Sequence, residues 1–321
     1  MFLDLIAILD STLRLATPLV LCAMAGLFSE RAGIVDIGLE GKMLGGAFAA
    51  ACVAVVTGSA WLGLLAAIAL SVGLSMMHGL ASITFHGNQV VSGMAINIMV
   101  AGLGPTLAFA WFNEGGRISL TGPEQRFSSI ALPFAETLSA VPVLGPIYAE
   151  LISGHNLLVY LAFLSVPLVA WIVYRSRFGL RLRAVGENPA AVDTAGLSVG
   201  WLRFQAVLVT GVLCGFAGAY YSIAHGSGFL RDMTAGGGYL ALAALIFGKW
   251  RPVPAAAACV LFAFTDALQT RLQGVELPVI GEIPVQFIQM LPYLLTVLLL
   301  AGFVGRAVAP KAIGVPYIKE H

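Results

Sequence analysis

The chain has 321 residues, of which 59% are hydrophobic and 10% are charged, and its formal net charge is only +1. Soluble domains carry about 25% charged residues, and a soluble protein of this size has no interior large enough to bury so much apolar surface. The composition therefore excludes a soluble enzyme, a DNA-binding protein and a disordered scaffold. The mean hydropathy of +0.92 indicates a polytopic membrane protein.

Apolar stretches along the chain predict membrane-spanning helices, because a helix of about 20 mostly apolar residues crosses the hydrocarbon core. They fall at about 12–28, 43–58, 61–82, 90–112, 156–174, 205–225, 236–248, 253–272 and 285–305. We therefore expect an all-α, polytopic transmembrane helical bundle with about nine or ten crossings.

Two segments are punctuated by glycine and do not look like ordinary spans. Residues 236–248 are short and open with three consecutive glycines, and residues 33–46, GIVDIGLEGKMLGG, are weakly charged. Irregular backbone persists at membrane depth only where it is buried in protein or lines a cavity. Both segments are therefore predicted to be broken or re-entrant helices.

The two halves of the chain share this pattern. An apolar helix at 15–28 leads into the first interrupted segment, and an apolar helix at 206–224 leads into the second. Inverted repeats with interrupted helices are typical of transporters whose solute path lies at the repeat interface. The alternative is that two Ala- and Gly-rich segments resemble each other through composition alone.

Basic residues set the expected orientation, because cytoplasmic loops are enriched in Lys and Arg. The strongest cluster, five arginines within 175–203, is predicted to be cytoplasmic. Counting spans from this cluster places 113–155 outside and 29–42 inside. The N-terminus then lies outside with nine crossings, or inside with ten if 33–46 is re-entrant.

Motifs of enzymatic chemistry are missing from the sequence. It has no G-x-x-x-x-G-K-[ST] phosphate loop, since Gly248-Lys249 is followed by Trp250, so the chain is not expected to hydrolyse ATP itself. The histidines are scattered, and the four cysteines lie in apolar stretches without metal-ligand spacing. We expect no enzymatic activity, no cofactor, no metal site and no binding to nucleic acid.

Residues 186–196, GENPAAVDTAG, have the pattern of a short capped helix. Asn188 suits the N-cap and Pro189 the first helical position, and Gly196 can end the helix. A compact helix between two spans and flanked by arginines is consistent with a docking element for a cytoplasmic partner. It is equally consistent with a solvated loop that happens to be helical.

Four stretches resemble those of ABC importer permeases for branched-chain amino acids, ribose-like sugars and nucleosides. The resemblance is closest to the nucleoside and simple-sugar branch of that family. AVGENPAAVDTAGL at 184–197 resembles the coupling helix, and the other three stretches are LFSERAGIVDIGLEG at 27–41, NQVVSGMAIN at 88–97 and GYLALAALIFGKWRP at 238–252. Together they cover the chain from about residue 12 to 305.

The resemblance implies a permease subunit that carries a nucleoside or a related purine or simple sugar across the bilayer of a bacterial inner membrane. Its implied partners are a cytoplasmic ABC ATPase, a second permease subunit (a paralogue or an identical copy) and an external solute-binding protein. The residues implied to couple to the ATPase are Gly186, Glu187, Asn188, Pro189, Ala191 and Gly196.

The resemblance also implies a single transmembrane permease domain over residues 1–321. Its parts are a first half at about 12–112, an external segment at 113–155, a cytoplasmic coupling segment at 175–205 and a second half at about 205–305. The external segment would serve as the landing surface for the binding protein.

Two acids are candidates for the solute path. Asp36 and Glu40 are four residues apart, and acids within a membrane mark a site or pair with a cation. Lys42 or Arg31 could be that cation, and the family often has Asn in place of Asp36. The alternative function, an ion-coupled secondary transporter, would take its ion site from Asp36, Glu40 or Asp266.

Two amides are the other candidates for the solute path. Gln89 and Asn97 share a helix face with Gly93, and they could bind a polar solute or bridge neighbouring helices. The family often has Glu in place of Gln89. The Gly211-x-x-x-Gly215 spacing predicts close helix packing.

Overall fold

The computed structural model describes residues 2–133, 144–272, 276–277, 281–282, 290, 294, 297 and 308–319. The helices are α1 (Phe2–Arg31), α2 (Leu39–Thr57), α3 (Ala60–Gly79), α4 (Gln89–Phe112), α5 (Leu157–Arg175), α6 (Arg177–Glu187), α7 (Pro189–Thr194), α8 (Val199–Ala219), α9 (Gly237–Phe247) and α10 (Pro252–Leu272). Turns of π-helix extend α3 through Leu80–Thr84 and α8 through Tyr220–His225.

Short elements complete the described chain. Helical turns lie at Pro123–Gln125, Leu144–Pro146 and Ile147–Ile152. The strands are β1 (Ile118–Ser119), β2 (Gly228–Phe229), β3 (Glu276–Leu277) and β4 (Gly281–Glu282). β1 pairs with β2 and β3 with β4, both antiparallel.

Seven helices among the described residues are long and apolar enough to cross a membrane. They are α1 to α5, α8 and α10, and they confirm the predicted all-α transmembrane bundle. α9 is apolar but only 11 residues long, as predicted for 236–248. The span predicted at 285–305 lies outside the described residues, apart from positions 290, 294 and 297.

The first helix is longer than the span predicted at 12–28, because α1 has 30 residues. Polar groups in its first half are bonded within the helix. Arg14 lies 3.0 Å from Asp10 one turn earlier, and the hydroxyls of Thr12 and Thr17 donate to carbonyl oxygens four residues back. These local bonds let the helix continue through residues that hydropathy counts as a boundary.

Residues 33–46 were predicted to form a broken or re-entrant helix, and they form a break followed by a long helix. Residues 32–38 are non-helical, and α2 then runs without a break from Leu39 to Thr57, long enough to cross the membrane. The glycines of the second part of this segment sit inside α2, where they allow close packing instead of ending the helix. The interruption is confined to the loop before α2, which we call the first loop.

The start of α1 lies at the end of the bundle that holds the segment predicted to be external. Oδ1 of Asp10 is 3.8 Å from Nδ1 of His155. Residues 308–319 lie at the opposite end, where the N–H of Gly314 donates to the carbonyl of Gly33 at 3.0 Å. With 175–203 on the cytoplasmic side, this arrangement favours the N-terminus outside.

The core of the bundle is built around α1. Residues 16–30 of α1 are all buried, and they pack against α8, α9 and α10. α8 also packs closely on α3, because a Cβ added at Gly211 or Gly215 would lie 2.7 or 2.6 Å from a Cα atom of α3. The predicted close packing through Gly211-x-x-x-Gly215 is confirmed.

Candidate functional site

Two helices begin inside the bundle and meet at their N-terminal ends. α9 has 11 residues and ends beside Arg31 at the end of α1. A helix of that length spans about 16 Å, roughly half of the hydrocarbon core, so its start is expected near the membrane midplane. The start of α2 touches it there. We call this contact, formed by residues 37–41 and 234–239, the junction.

Glu40 joins the two helix starts through three hydrogen bonds. Its Oε1 accepts from the Thr234 hydroxyl at 2.6 Å and from the Gly236 N–H at 2.9 Å, and its Oε2 accepts from the Gly238 N–H at 2.6 Å. The first N–H groups of a helix lack partners within the helix, and the positive end of the helix dipole favours a carboxylate. Glu40 therefore caps α9 from a different helix.

Asn97 of α4 completes the junction. Its Oδ1 accepts from the Gly41 N–H at 2.8 Å, and its Nδ2 donates to the Ile37 carbonyl at 2.9 Å and to the Tyr239 hydroxyl at 2.7 Å. The amide of Asn97 thus pairs with backbone groups at the start of α2 and holds the side chain of Tyr239 in α9. The starts of α2 and α9 are therefore joined both by Glu40 and by Asn97.

Glycine makes the close approach of the two starts possible. A Cβ added at Gly238 would lie 2.5 Å from the backbone nitrogen of Glu40, and one added at Gly41 would lie 2.8 Å from the Cα of Asn97. Because these neighbours are backbone atoms, they cannot move aside as the end of a long side chain can. The glycines of the two interrupted segments are therefore required for contact between helices.

Asp36 and Lys42 form a buried ion pair behind the junction. Oδ2 of Asp36 contacts Nζ of Lys42, and both side chains are 0% exposed. A ring nitrogen of His78 lies 4.0 Å from the other carboxylate oxygen. Arg31, the other cation considered for this role, instead donates to the carbonyl of Trp250 at 2.6 Å. The charge of Asp36 is thus compensated within the protein.

Gln89 supports the first loop from α4. Its Oε1 accepts from the Val35 N–H at 2.7 Å. Gln89, Gly93 and Asn97 are all buried on one face of α4, as their spacing predicted. Their contacts with the first loop and the start of α2 are those expected of amides that bridge helices.

Tyr239 and Met94 lie on the open side of the junction. Tyr239 is 41% exposed and Met94 is 40% exposed, and the Tyr239 hydroxyl lies 4.0 Å from the Met94 sulfur. Glu40 also keeps partial exposure. An aromatic ring held by Asn97 offers an apolar face to a planar solute, and the neighbouring carboxylate can accept hydrogen bonds from donors on that solute.

The predicted capped helix is present as α7. Oδ1 of Asn188 accepts from the Ala191 N–H at 3.1 Å, which confirms the N-cap. Gly196 has a φ of +80°, in the left-handed region suited to glycine. Val192 is buried in a cluster with residues of α6 and α8, so α7 is anchored along one side.

The six residues predicted to couple to an ATPase differ in exposure. Glu187, Asn188, Ala191 and Gly196 are exposed, Pro189 is partly exposed and Gly186 is buried. Four of the six therefore face the solvent at the end of the bundle predicted to be cytoplasmic. The buried one, Gly186, packs against the rest of the protein.

Gly186 ties the turn between α6 and α7 to the end of α1. Its carbonyl accepts from the Ala312 N–H at 2.8 Å, and a Cβ added to it would overlap the carbonyl oxygen of Arg31. Arg203, which is 2% exposed, donates to the carbonyl of Ala32 at 3.2 Å. The segment predicted to be the coupling element thus contacts Arg31, the last residue of α1, and Ala32, the first residue of the first loop.

Metal-binding groups are not assembled in the described part of the chain. Among those residues no three His, Cys, Asp or Glu side chains are placed to hold one metal ion. All four cysteines are buried as free thiols. The chemistry of the junction is therefore that of hydrogen bonding, charge and an aromatic surface.

Sequence reasoning missed several residues of these sites. Thr234 and Tyr239 gave no signal, because their partners lie in the other half of the chain. Trp250 is 6% exposed and donates from its Nε1–H to Glu30, another contact between the two halves. α6 was also missed, although its buried residues recur at helical spacing.

Comparisons with known proteins point to one family. The model of the family described as branched-chain amino acid transport system, permease component, matches residues 8–302. The guanosine ABC transporter permease NupQ of Bacillus subtilis is 40% identical, over 97% of this chain and 96% of that protein. The nucleoside ABC transporter permease NupC of Lactococcus lactis is 38% identical, over 98% of this chain and 97% of that protein. TsgC13 of Haloferax volcanii, provisionally named a glucose ABC transporter permease, is 34% identical, over 93% of this chain and 92% of that protein.

Proposed function

This chain belongs to the family of branched-chain amino acid transport system permease components, and we propose that the solute it carries is a nucleoside. It is the membrane-spanning permease subunit of an ABC importer, so it is not itself an enzyme and works with an ABC ATPase and a binding protein. Because the chain belongs to this family, the alternative hypothesis of an ion-coupled secondary transporter is rejected.

Two relatives that align over nearly the whole chain, at 40% and 38% identity, support a nucleoside cargo, since they are named for guanosine and for nucleosides. The relative at 34% is provisionally named for glucose, which makes a simple sugar the second candidate. A nucleoside combines a planar aromatic base with a hydroxylated sugar, so its site needs an apolar flat surface and a few fixed polar groups.

The observation that carries this proposal is the half-exposed ring of Tyr239, held in place by Asn97 where α2 and α9 begin. Solute sites of transporters lie near the midplane, between repeats, at interrupted helices. We infer that the path runs along the open side of the junction, beside Tyr239, Glu40 and Asn97. Asp36 and Gln89 would then act indirectly, by holding the first loop in position.

The proposed partners follow from the two ends of the bundle. α7 and the exposed residues around Asn188 would enter a cleft on a cytoplasmic ATPase, within the coupling segment 175–205. The external segment 113–155 would receive a solute-binding protein, and a second permease subunit would complete the path. The transporter would reside in the bacterial inner membrane.

Coupling would pass from α7 to the junction through the first loop. The turn at Gly186 contacts the end of α1, and Arg203 bonds the residue that follows it. The first loop leads within a few residues to Glu40 at the start of α2. A displacement of α7 by the ATPase would therefore move the start of α2 relative to α9.

Uptake by cells that express the complete transporter tests the cargo. Labelled guanosine should accumulate, and unlabelled nucleosides should compete whereas glucose should not. Tyr239→Leu should lower apparent affinity for the nucleoside about tenfold, since stacking of a base on an aromatic ring contributes roughly 1–3 kcal/mol. Tyr239→Phe is the matched control, because it keeps the ring and should retain most of the uptake.

Competition by glucose but not by nucleosides would show that the cargo is a simple sugar, the second candidate. Equal loss of uptake in Tyr239→Phe and Tyr239→Leu would instead show that the hydroxyl bonded to Asn97 is needed and the stacking surface is not.

A further inference from the structure

We propose that a recessed pocket at the outer end of the bundle binds a phosphate-type oxyanion. The cavity has a volume of about 170 Å³, and its lining includes Arg14, Arg126, His155, Tyr220 and His225. It lies among α1, the external segment, the start of α5 and the π-helical end of α8, away from both the junction and α7. The proposed solute path and the coupling helix use none of these side chains, although Arg126 and His155 belong to the external segment.

The charges that line the pocket are not balanced. Arg14 is paired with Asp10 at 3.0 Å, whereas Arg126 has no acidic partner within 4.0 Å among the residues the structure describes. Of the two guanidinium groups in the lining, that of the exposed Arg126 therefore keeps no acidic partner in the described part of the chain, and two histidine rings lie on the same walls. Arginine is the side chain best suited to bind phosphate, because its planar fork donates two parallel hydrogen bonds to two oxygens.

His155 supplies a second, independent sign of a ligand. It is 3% exposed, and its Nε2 lies 3.1 Å from the carbonyl of Leu151. Its Nδ1 has no hydrogen-bond partner among the described residues, the nearest acid being Asp10 at 3.8 Å. Because a carbonyl only accepts, the proton of the neutral ring is on Nε2, and Nδ1 is a hydrogen-bond acceptor. Buried polar atoms are nearly always hydrogen-bonded, so a donor on the ligand, such as the hydroxyl of a hydrogen phosphate or of a glycerol headgroup, is expected to meet this nitrogen.

The pocket is held open by contacts between distant parts of the chain. The N–H of Phe127 donates to the carbonyl of Ile223 at 2.8 Å. The ring of His225 stacks on Tyr220 with centroids 5.6 Å apart, and the Tyr220 hydroxyl donates to the carbonyl of Arg14 at 2.9 Å. These contacts position the walls of the pocket before a ligand arrives, which lowers the entropic cost of binding.

The depth of the pocket matches that of lipid phosphates. Arg14 precedes Arg31, at the cytoplasmic end of α1, by 17 residues, which corresponds to about 26 Å along a helix, close to the thickness of the hydrocarbon core. The ring of Trp61 lies 5.0 Å from that of Phe127 at the same end of the bundle, and tryptophan is enriched at headgroup level. The oxyanion can thus come from the headgroup of an anionic phospholipid or from free phosphate, and both sources share this chemistry.

The test uses the full-length chain in nanodiscs of phosphatidylcholine with and without phosphatidylglycerol. Native mass spectrometry counts the phosphatidylglycerol that stays bound, and a titration of inorganic phosphate tests whether free anion displaces it. Arg126→Gln should weaken retention about tenfold or more, since charge-assisted hydrogen bonds are lost. Arg117→Gln is the matched control, because Arg117 is an exposed arginine of the same external segment that does not line the pocket.

Retention of phosphatidylglycerol by the wild type, with loss in Arg126→Gln only, supports the site and identifies a lipid source. Displacement of that lipid by inorganic phosphate supports the site and identifies free phosphate as a competing ligand. The displacement experiment uses only the wild type, so it tests whether the pocket binds an oxyanion even if Arg126→Gln does not fold. Equal retention by wild type, Arg126→Gln and Arg117→Gln, with no effect of phosphate, would overturn the proposal. So would an Arg126→Gln variant that fails only to dock the solute-binding protein, since Arg126 would then serve a protein carboxylate.

Discussion

Replacing Lys42 by methionine should leave Asp36 as an uncompensated charge inside the bundle. Both side chains are 0% exposed, and they contact each other directly. Breaking a buried ion pair by removing one partner typically costs about 3–5 kcal/mol. The ring nitrogen Nε2 of His78 lies 4.0 Å from the carboxylate and 3.0 Å from the carbonyl of Val35, so we expect the loss to fall within this range of about 3–5 kcal/mol.

The free energy of unfolding in mixed detergent and SDS micelles measures this loss. Lys42→Met should lower it, and the double variant Asp36→Asn with Lys42→Met should recover most of it, because no buried charge remains. Lys311→Met is the matched control, since Lys311 is exposed at the end of the bundle predicted to be cytoplasmic and its replacement should leave stability unchanged. Unchanged stability in Lys42→Met together with loss of uptake would refute this reasoning and place Lys42 on the solute path.

Three further changes probe the junction, the coupling helix and the topology. Gly238→Ala should separate the two helix starts, lowering stability by roughly 1–3 kcal/mol and reducing uptake in the same cells. Asn188→Gly combined with Pro189→Gly should leave membrane insertion intact but uncouple ATP hydrolysis from uptake. A single cysteine introduced at Ser119 should react with an impermeant thiol reagent on intact cells, and one introduced at Lys311 should react only after permeabilisation.

Each of these changes has a result that would count against it. Gly73→Ala is the control for Gly238→Ala, because a Cβ at Gly73 meets no atom within 4 Å, and similar losses in both variants would mean that helix crowding is not the cause. Normal uptake by the variant with Asn188→Gly and Pro189→Gly would contradict the proposal that α7 couples the permease to the ATPase. Labelling of position 311 in intact cells would invert the orientation. A cysteine at Asp4 that is labelled from outside would agree with the placement of the N-terminus beside the external segment.

Patterns within one stretch of sequence predicted much of this molecule. The short helix at 236–248 was predicted from its length and its glycines, and α7 from the N-cap Asn188 and the glycine that ends the helix. Both depend on residues close in sequence, so the local pattern was sufficient. The length of α1 was underestimated, because hydropathy does not register an Arg14–Asp10 pair formed within a helix.

Features that depend on contact between the halves could not be predicted. Glu40 satisfies N–H groups nearly 200 positions later in the chain, and Asn97 bonds Tyr239 across 142 positions. The glycines of 33–46 predicted a helix break, yet the segment from Leu39 onward stays helical, because those glycines face neighbouring helices. A glycine required for helix packing and a glycine that ends a helix look the same in a single sequence.

The most direct test of the solute path is the accessibility of position 239 during transport. Tyr239→Cys, in a background without the four native cysteines, should react with a small polar thiol reagent when the reconstituted transporter turns over with ATP, ATPase and binding protein. Saturating nucleoside should slow this reaction, and glucose should not. Labelling that is unaffected by nucleoside, or that occurs only with a lipid-soluble reagent, would place position 239 against lipid and contradict a path along the junction.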